Sequence, residues 1–134
     1  MEIISQKSVI SASQKEVYDF LCDASNIYHL LPQDKISDFK SDEHGCSFKV
    51  QGGIIIPLHY TQHHPYHKIN MHSGDQAPFQ YRLAIVIHEN NENQCDGHIE
   101  FHAQINMFMK MMVEKPLISL FNYMSEKLQE QFNT

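Results

Sequence analysis

The chain contains no tryptophan, and Arg82 is its one arginine. A guanidinium is the usual partner of a phosphate or carboxylate ligand, and alternation puts Arg82 on the solvent side of its strand. A ligand held in the interior is therefore expected to be neutral or weakly polar. Lysine and arginine together number 10 against 16 aspartates and glutamates, a net charge of -6. That deficit excludes a general nucleic-acid binder, which needs a basic face. It also leaves no polybasic segment for an anionic membrane. Cysteine is scarce, at 22, 46 and 95, an odd number with no C-x-x-C pair. Reduced thiols in a cytoplasmic protein are the expectation. The longest aliphatic run, residues 54–56, is far too short to span a bilayer, so no integral membrane segment is expected. The first residues lack a basic region followed by an apolar one, so no signal peptide is expected.

Catalytic motifs are missing too. There is no Gly-x-Ser-x-Gly, no glycine-rich phosphate loop and no H-E-x-x-H. No catalytic residue, metal site or cofactor is assigned. Gly52-Gly53 reads as a hairpin pair. Histidine, by contrast, is abundant: protonating all ten would carry the net charge from -6 to +4. His98 and His102 flank Glu100 on one strand face, with His59, His72 and His88 at outward positions of other strands. Residues two apart on a strand are ~6.6 Å apart, too far to converge on zinc unaided. These imidazoles read as solvated.

The most strongly patterned stretch is the last. Val113, Leu117, Leu120, Phe121, Met124, Leu128 and Phe132 recur at the helical period, opposite Glu114, Ser119, Glu126, Lys127, Gln129 and Glu130. One amphipathic helix over 108–132 is expected, ~37 Å long, with a kink near Met112 imposed by Pro116. Met107-Phe108-Met109-Lys110-Met111-Met112 opens it. Four methionines in six residues make either a reshapeable gate at a pocket mouth or irregular core filler.

Upstream, residues 2–10 read as a first strand. Ser13 and Glu16 have capping-box spacing before a short helix with Val17, Phe20 and Leu21 on one side. Asn26 is the expected cap of a second short helix ended by Pro32. From residue 36 the period becomes two, and six strands follow to residue 106, separated by turns at 42–45, 52–53, 64–66, 74–78 and 90–93. Pro57 marks an edge or a bulge in its strand.

This order, with the Ser-x-Ser-x-x-x-Val-Tyr-x-Phe-Leu stretch over 11–21, the 23–32 segment and the terminal helix, resembles the START-like, helix-grip (SRPBCC-type) superfamily. That superfamily includes polyketide cyclase/dehydrase proteins, plant pathogenesis-related allergens and lipid-transfer domains. The resemblance covers nearly the whole chain. It implies one α+β domain over 1–134: a curved seven-stranded antiparallel sheet wrapped around a long C-terminal helix, two short helices after the first strand, and an apolar cavity between sheet and helix. Members bind lipids, sterols, polyketides or plant hormones, and a minority are enzymes.

If the sheet curls so, the cavity is lined from the strands by Phe48, Leu58, Tyr60, Met71, Tyr81, Leu83, Phe101 and Ala103. The helix contributes Met109, Met112, Leu117, Phe121 and Met124. Buried phenols at Tyr60 and Tyr81 need partners, either a ligand oxygen or a backbone carbonyl. The leading expectation is non-covalent binding or transport of a small hydrophobic molecule. The alternatives are a cyclase/dehydrase-type enzyme using Tyr60 or Tyr81 as proton donor, and a module that docks a protein partner. An ionisable group isolated in a cavity would favour the enzyme; a filled core beside an exposed apolar patch would favour the docking module.

Overall fold

A computed structural model describes residues 1–50 and 52–133. The elements run β1 (Glu2–Ile4), β2 (Ser8–Ile10), α1 (Gln14–Cys22), a 3₁₀ helix (Ala24–Leu30), β3 (Ile36–Asp42), β4 (Gly45–Val50), β5 (Ile55–Tyr60), β6 (Lys68–His72), β7 (Gln80–Asn91), β8 (Gln94–Gln104) and α2 (Met107–Phe132). All strand pairs are antiparallel, in the order β1-β8-β7-β6-β5-β4-β3, and β2 also pairs with β8. This is an α+β helix-grip architecture.

The sheet has eight strands, not seven, because the first expected strand is broken. At the break the Ser5 N–H donates to the Ile99 carbonyl (2.8 Å), while the Ile99 N–H donates to Ser5 Oγ (2.8 Å). A hydroxyl thus takes the place of a ladder carbonyl. The Gln6 backbone turns to α2 instead, donating to Asn122 Oδ1 and accepting from Ser125 Oγ, both at 2.8 Å. Ser8 Oγ meets Ser125 Oγ in the interior at 2.8 Å, tying β2 to the helix.

The capping box of α1 is formed: Ser13 Oγ accepts from the Glu16 N–H (3.1 Å), and the Ser13 N–H donates to Glu16 Oε1 (3.3 Å). The next helix is capped by Asp23, whose carboxylate accepts from the Ser25 N–H (3.0 Å). Asn26, the expected cap, lies inside that helix and donates through Nδ2 to the Phe20 carbonyl (2.9 Å). The expected loop at 90–93 shrinks to a tight turn, since β7 continues to Asn91 and β8 begins at Gln94. Pro57 belongs to a strand flanked on both sides, yet β6 pairs only with His59 and Tyr60, so Pro57 is locally unpaired on that side. The missing amide costs no ladder bond there.

Asn106 caps α2, its Oδ1 accepting from the Met109 N–H (2.8 Å). The helix continues through Pro116, which lies on its exposed side. There the carbonyl left without a donor at Met112 is within reach of water. Val113, Leu117, Leu120, Phe121, Met124 and Leu128 are buried against the sheet, as the 3.6-residue period requires.

Candidate ligand-binding cleft

Of the residues expected to ring a central cavity, Phe48, Leu58, Met71, Tyr81, Leu83, Phe101, Ala103, Leu117, Phe121 and Met124 are buried and form one continuous core. They pack on each other: the Phe101 ring centroid is 4.9 Å from that of Phe121 and 5.2 Å from that of Tyr81. Tyr60 and Met109 are half-buried beside them, and Met112 is exposed.

Both phenols are satisfied within the protein. Tyr60 Oη donates to the Leu21 carbonyl (2.7 Å), and Tyr81 Oη donates to the Pro57 carbonyl (2.6 Å), which β6 is too short to reach. Burial pushes both hydroxyls well above the ordinary phenol range. Each holds its one proton tightly and spends it on a backbone carbonyl, a poor arrangement for proton donation to a substrate. Burial likewise pushes the Cys46 thiol up to about 12 and the Cys95 thiol up to about 11, so neither is a thiolate nucleophile. All three cysteines are unpaired.

Open volume lies to one side of this core. A cleft of about 510 Å³ is walled by Pro32, Lys35 and Ile36 from the segment entering β3, by Val50 and Gly52 at the β4–β5 turn, and by Pro116, Ser119, Leu120 and Tyr123 of α2. None of the thirteen expected cavity residues is among these nine. The helix reaches the cleft because 116, 119, 120 and 123 fall on one face, next to the face buried by Leu117, Phe121 and Met124. Pro32 follows the 3₁₀ helix, which ends at Leu30 with Leu31 as its cap, and Gly52 and Gly53 turn the opposite wall with φ of +93° and +81°. The lining is mostly apolar. The residues of its lining with polar side chains are Lys35, Ser119 and Tyr123, and the Lys127 ammonium sits 5.5 Å from the Tyr123 ring centroid.

Exposure separates the two readings of the methionine run. Met107, Phe108, Met111 and Met112 are all exposed, Met111 by 78%, with Ile118 further along the helix. Side chains at the surface fill no core. Phe108, Met112, Ser119 and Tyr123 follow one helical face (positions 0, 4, 11 and 15), so the apolar stripe leads into the cleft. A cluster of this kind is more than the scattered apolar residues of an ordinary surface. Glu114 does not enter the cleft; it pairs with Lys110 at 3.8 Å. Among the described residues no group of three or more histidine, cysteine, aspartate or glutamate side chains is placed to hold a metal ion. No helix among them is long and apolar enough to cross a membrane.

The fold is shared by solved structures. A START superfamily protein from Mycobacterium smegmatis superposes with a TM-score of 0.68 at 10% identity, over 98% of this chain and 96% of that one. A point mutant of Thalictrum norcoclaurine synthase, in complex with a transition-state analogue, gives 0.67 at 12% identity, over 98% and 94%. The di-domain ARO/CYC BexL from the BE-7585A biosynthetic pathway gives 0.66 at 12% identity, over 97% of this chain and 45% of that one. No family model matches the sequence, and no curated protein matches it. The chain has a START-like, SRPBCC-type fold.

Proposed function

We propose that the protein binds a small hydrophobic molecule without covalent chemistry, in the cleft between α2 and the β3–β4 edge. The observation that carries this reading is the cleft itself. Its volume of about 510 Å³ is that of a small-molecule site, and it pairs apolar walls with a few polar groups at fixed places. A neutral lipid-, sterol- or polyketide-like ligand fits best. Its apolar body would lie against Ile36, Val50, Pro116 and Leu120, with an oxygen at Ser119 or Tyr123. An elongated tail would extend along Met112 and Phe108.

The same inventory weighs against a cyclase-type enzyme. Tyr60 and Tyr81 are committed elsewhere, and the titratable groups of the lining are Lys35 and Tyr123 alone. The three free thiols support a cytoplasmic setting. The exposed stripe favours a second reading, in which Met107, Phe108, Met111 and Met112 dock a protein partner. Native mass spectrometry of freshly purified protein, set beside a denatured and solvent-extracted sample, separates the two. A small apolar molecule that is present natively and lost on denaturation is expected. Protein that arrives empty and takes up no apolar probe would remove the ligand reading and leave the docking one.

A further inference from the structure

The strand register assembles a feature unrelated to the cleft. His59 on β5 faces His72 on β6, His72 faces Arg82 on β7, Arg82 faces His102 on β8, and His102 faces Glu2 on β1. These five residues form one row straight across five strands, on the outer face of the sheet. Neighbouring strands are ~4.8 Å apart, so each side chain lies beside the next. Two furrows meet on this row, of about 520 and 210 Å³, and both are lined by Arg82 and His102.

The members of the row differ in what already occupies them. The Gly74 N–H donates to His72 Nδ1 (3.2 Å), which leaves the neutral ring's proton on Nε2 as a donor. The His59 ring lies against Gly74, where an added Cβ would come within 2.5 Å of its Cδ2, and 5.6 Å from the His72 ring. His102 Nε2 is 3.1 Å from Glu2 Oε2. Glu100, the carboxylate of the smaller furrow, is held by His98 at 2.9 Å. The nitrogen of Met1 donates to the Ala103 carbonyl (2.8 Å). Lys68 lines the smaller furrow, and Asp75 lies exposed in the turn beyond Gly74. Each furrow carboxylate therefore has its own imidazole. Arg82, at the centre, makes no ion pair or side-chain hydrogen bond among the described residues.

We propose that this furrow is a binding site for a small phosphate group, inorganic or on a small monoester, gripped by the Arg82 guanidinium and by the Nε2–H donor of His72. A planar fork with an imidazole N–H beside it suits an oxyanion that offers several acceptors at once. A fixed guanidinium in mid-row repels a metal cation. The chain's net charge of -6 opposes a polyanion, whose charges would meet the whole surface. A single phosphate feels only the row and its surroundings, within a Debye length of ~10 Å.

The test is a titration of the intact chain with inorganic phosphate, at constant ionic strength, followed by amide shifts in ¹H–¹⁵N spectra. Saturable shifts at Ser73, Arg82 and Ala103 are expected. Arg82→Gln, a change at an exposed position, is expected to weaken binding at least ~10-fold, the loss of one strong charge-assisted contact, and Arg82→Lys to recover part of it. Equal shifts from chloride, equal binding by Arg82→Gln, or tighter binding of a short oligonucleotide than of phosphate would each overturn the proposal. Failure here leaves the cleft reading untouched, since the two sites share no residue.

Discussion

Phe121→Ala is expected to lower the free energy of unfolding by about 3–5 kcal/mol. Phe121 is 2% exposed and is the point at which α2 seats on the sheet. Its ring packs on Phe101 at a 40° tilt, and Phe101 in turn packs on Tyr81 at 33°. Removing the ring loses its transfer free energy and leaves a hole, and neither β8 nor α2 can close it without shifting along its length. Domains of this size are stable by only about 5–15 kcal/mol, so the variant should unfold at a much lower urea concentration. The slope of the transition should be unchanged, because the surface exposed on unfolding is nearly the same. Phe121→Leu, which keeps most of the volume, should lose far less. A near-neutral Phe121→Ala would mean that the helix does not rely on this packing.

Gly45→Ala is the second large effect. Gly45 opens β4 at φ +142°, where a Cβ would lie 2.0 Å from the Leu58 carbonyl oxygen and 3.0 Å from the His59 Cα. Both obstacles are backbone, so no rotamer change relieves them. The β4–β5 pairing from Gly45↔His59 to Phe48↔Ile56 would have to part or slip, and a slip by one residue turns the buried Phe48 and Leu58 outward. A loss on the order of 3 kcal/mol or more is expected. Circular dichroism and urea unfolding check it. Gly53→Ala is the control: its φ is also positive, but an added Cβ meets nothing within 4 Å. Its cost should be about 1 kcal/mol, from backbone strain alone.

The readable parts of this fold are those set by local period. The stripe from Val113 to Phe132 gave the helix, strict alternation over 79–87 gave β7, and Ser13 with Glu16 gave the first cap. What could not be read depends on partners distant in sequence. The break at Ser5 exists because its hydroxyl bonds Ile99, 94 residues on, and because Gln6 bonds Asn122, 116 residues on. The outward direction of Arg82 was legible from alternation. Its place between His72 and His102 was not, since that requires the register of three strands. The cleft is built from Pro32, Val50 and Tyr123, residues of no special chemistry contributed by separate segments. Only the spacing of Pro116, Ser119, Leu120 and Tyr123 hinted that a second helical face had a neighbour. Alternation and helical period mark the thirteen inward positions, and they report burial, not the location of open space.

The most direct test of the cleft is the uptake of a fluorescent sterol or other neutral lipid probe by the wild type and by Ser119→Trp. Ser119 is exposed at the cleft wall, so an indole there occupies the volume without entering the core. Saturable uptake by the wild type is expected, with a loss of at least ~10-fold in affinity, about 1.4 kcal/mol, in the variant. The unfolding midpoint should stay the same. Equal uptake by both proteins would place the bound molecule elsewhere and contradict a ligand site between α2 and the β3–β4 edge.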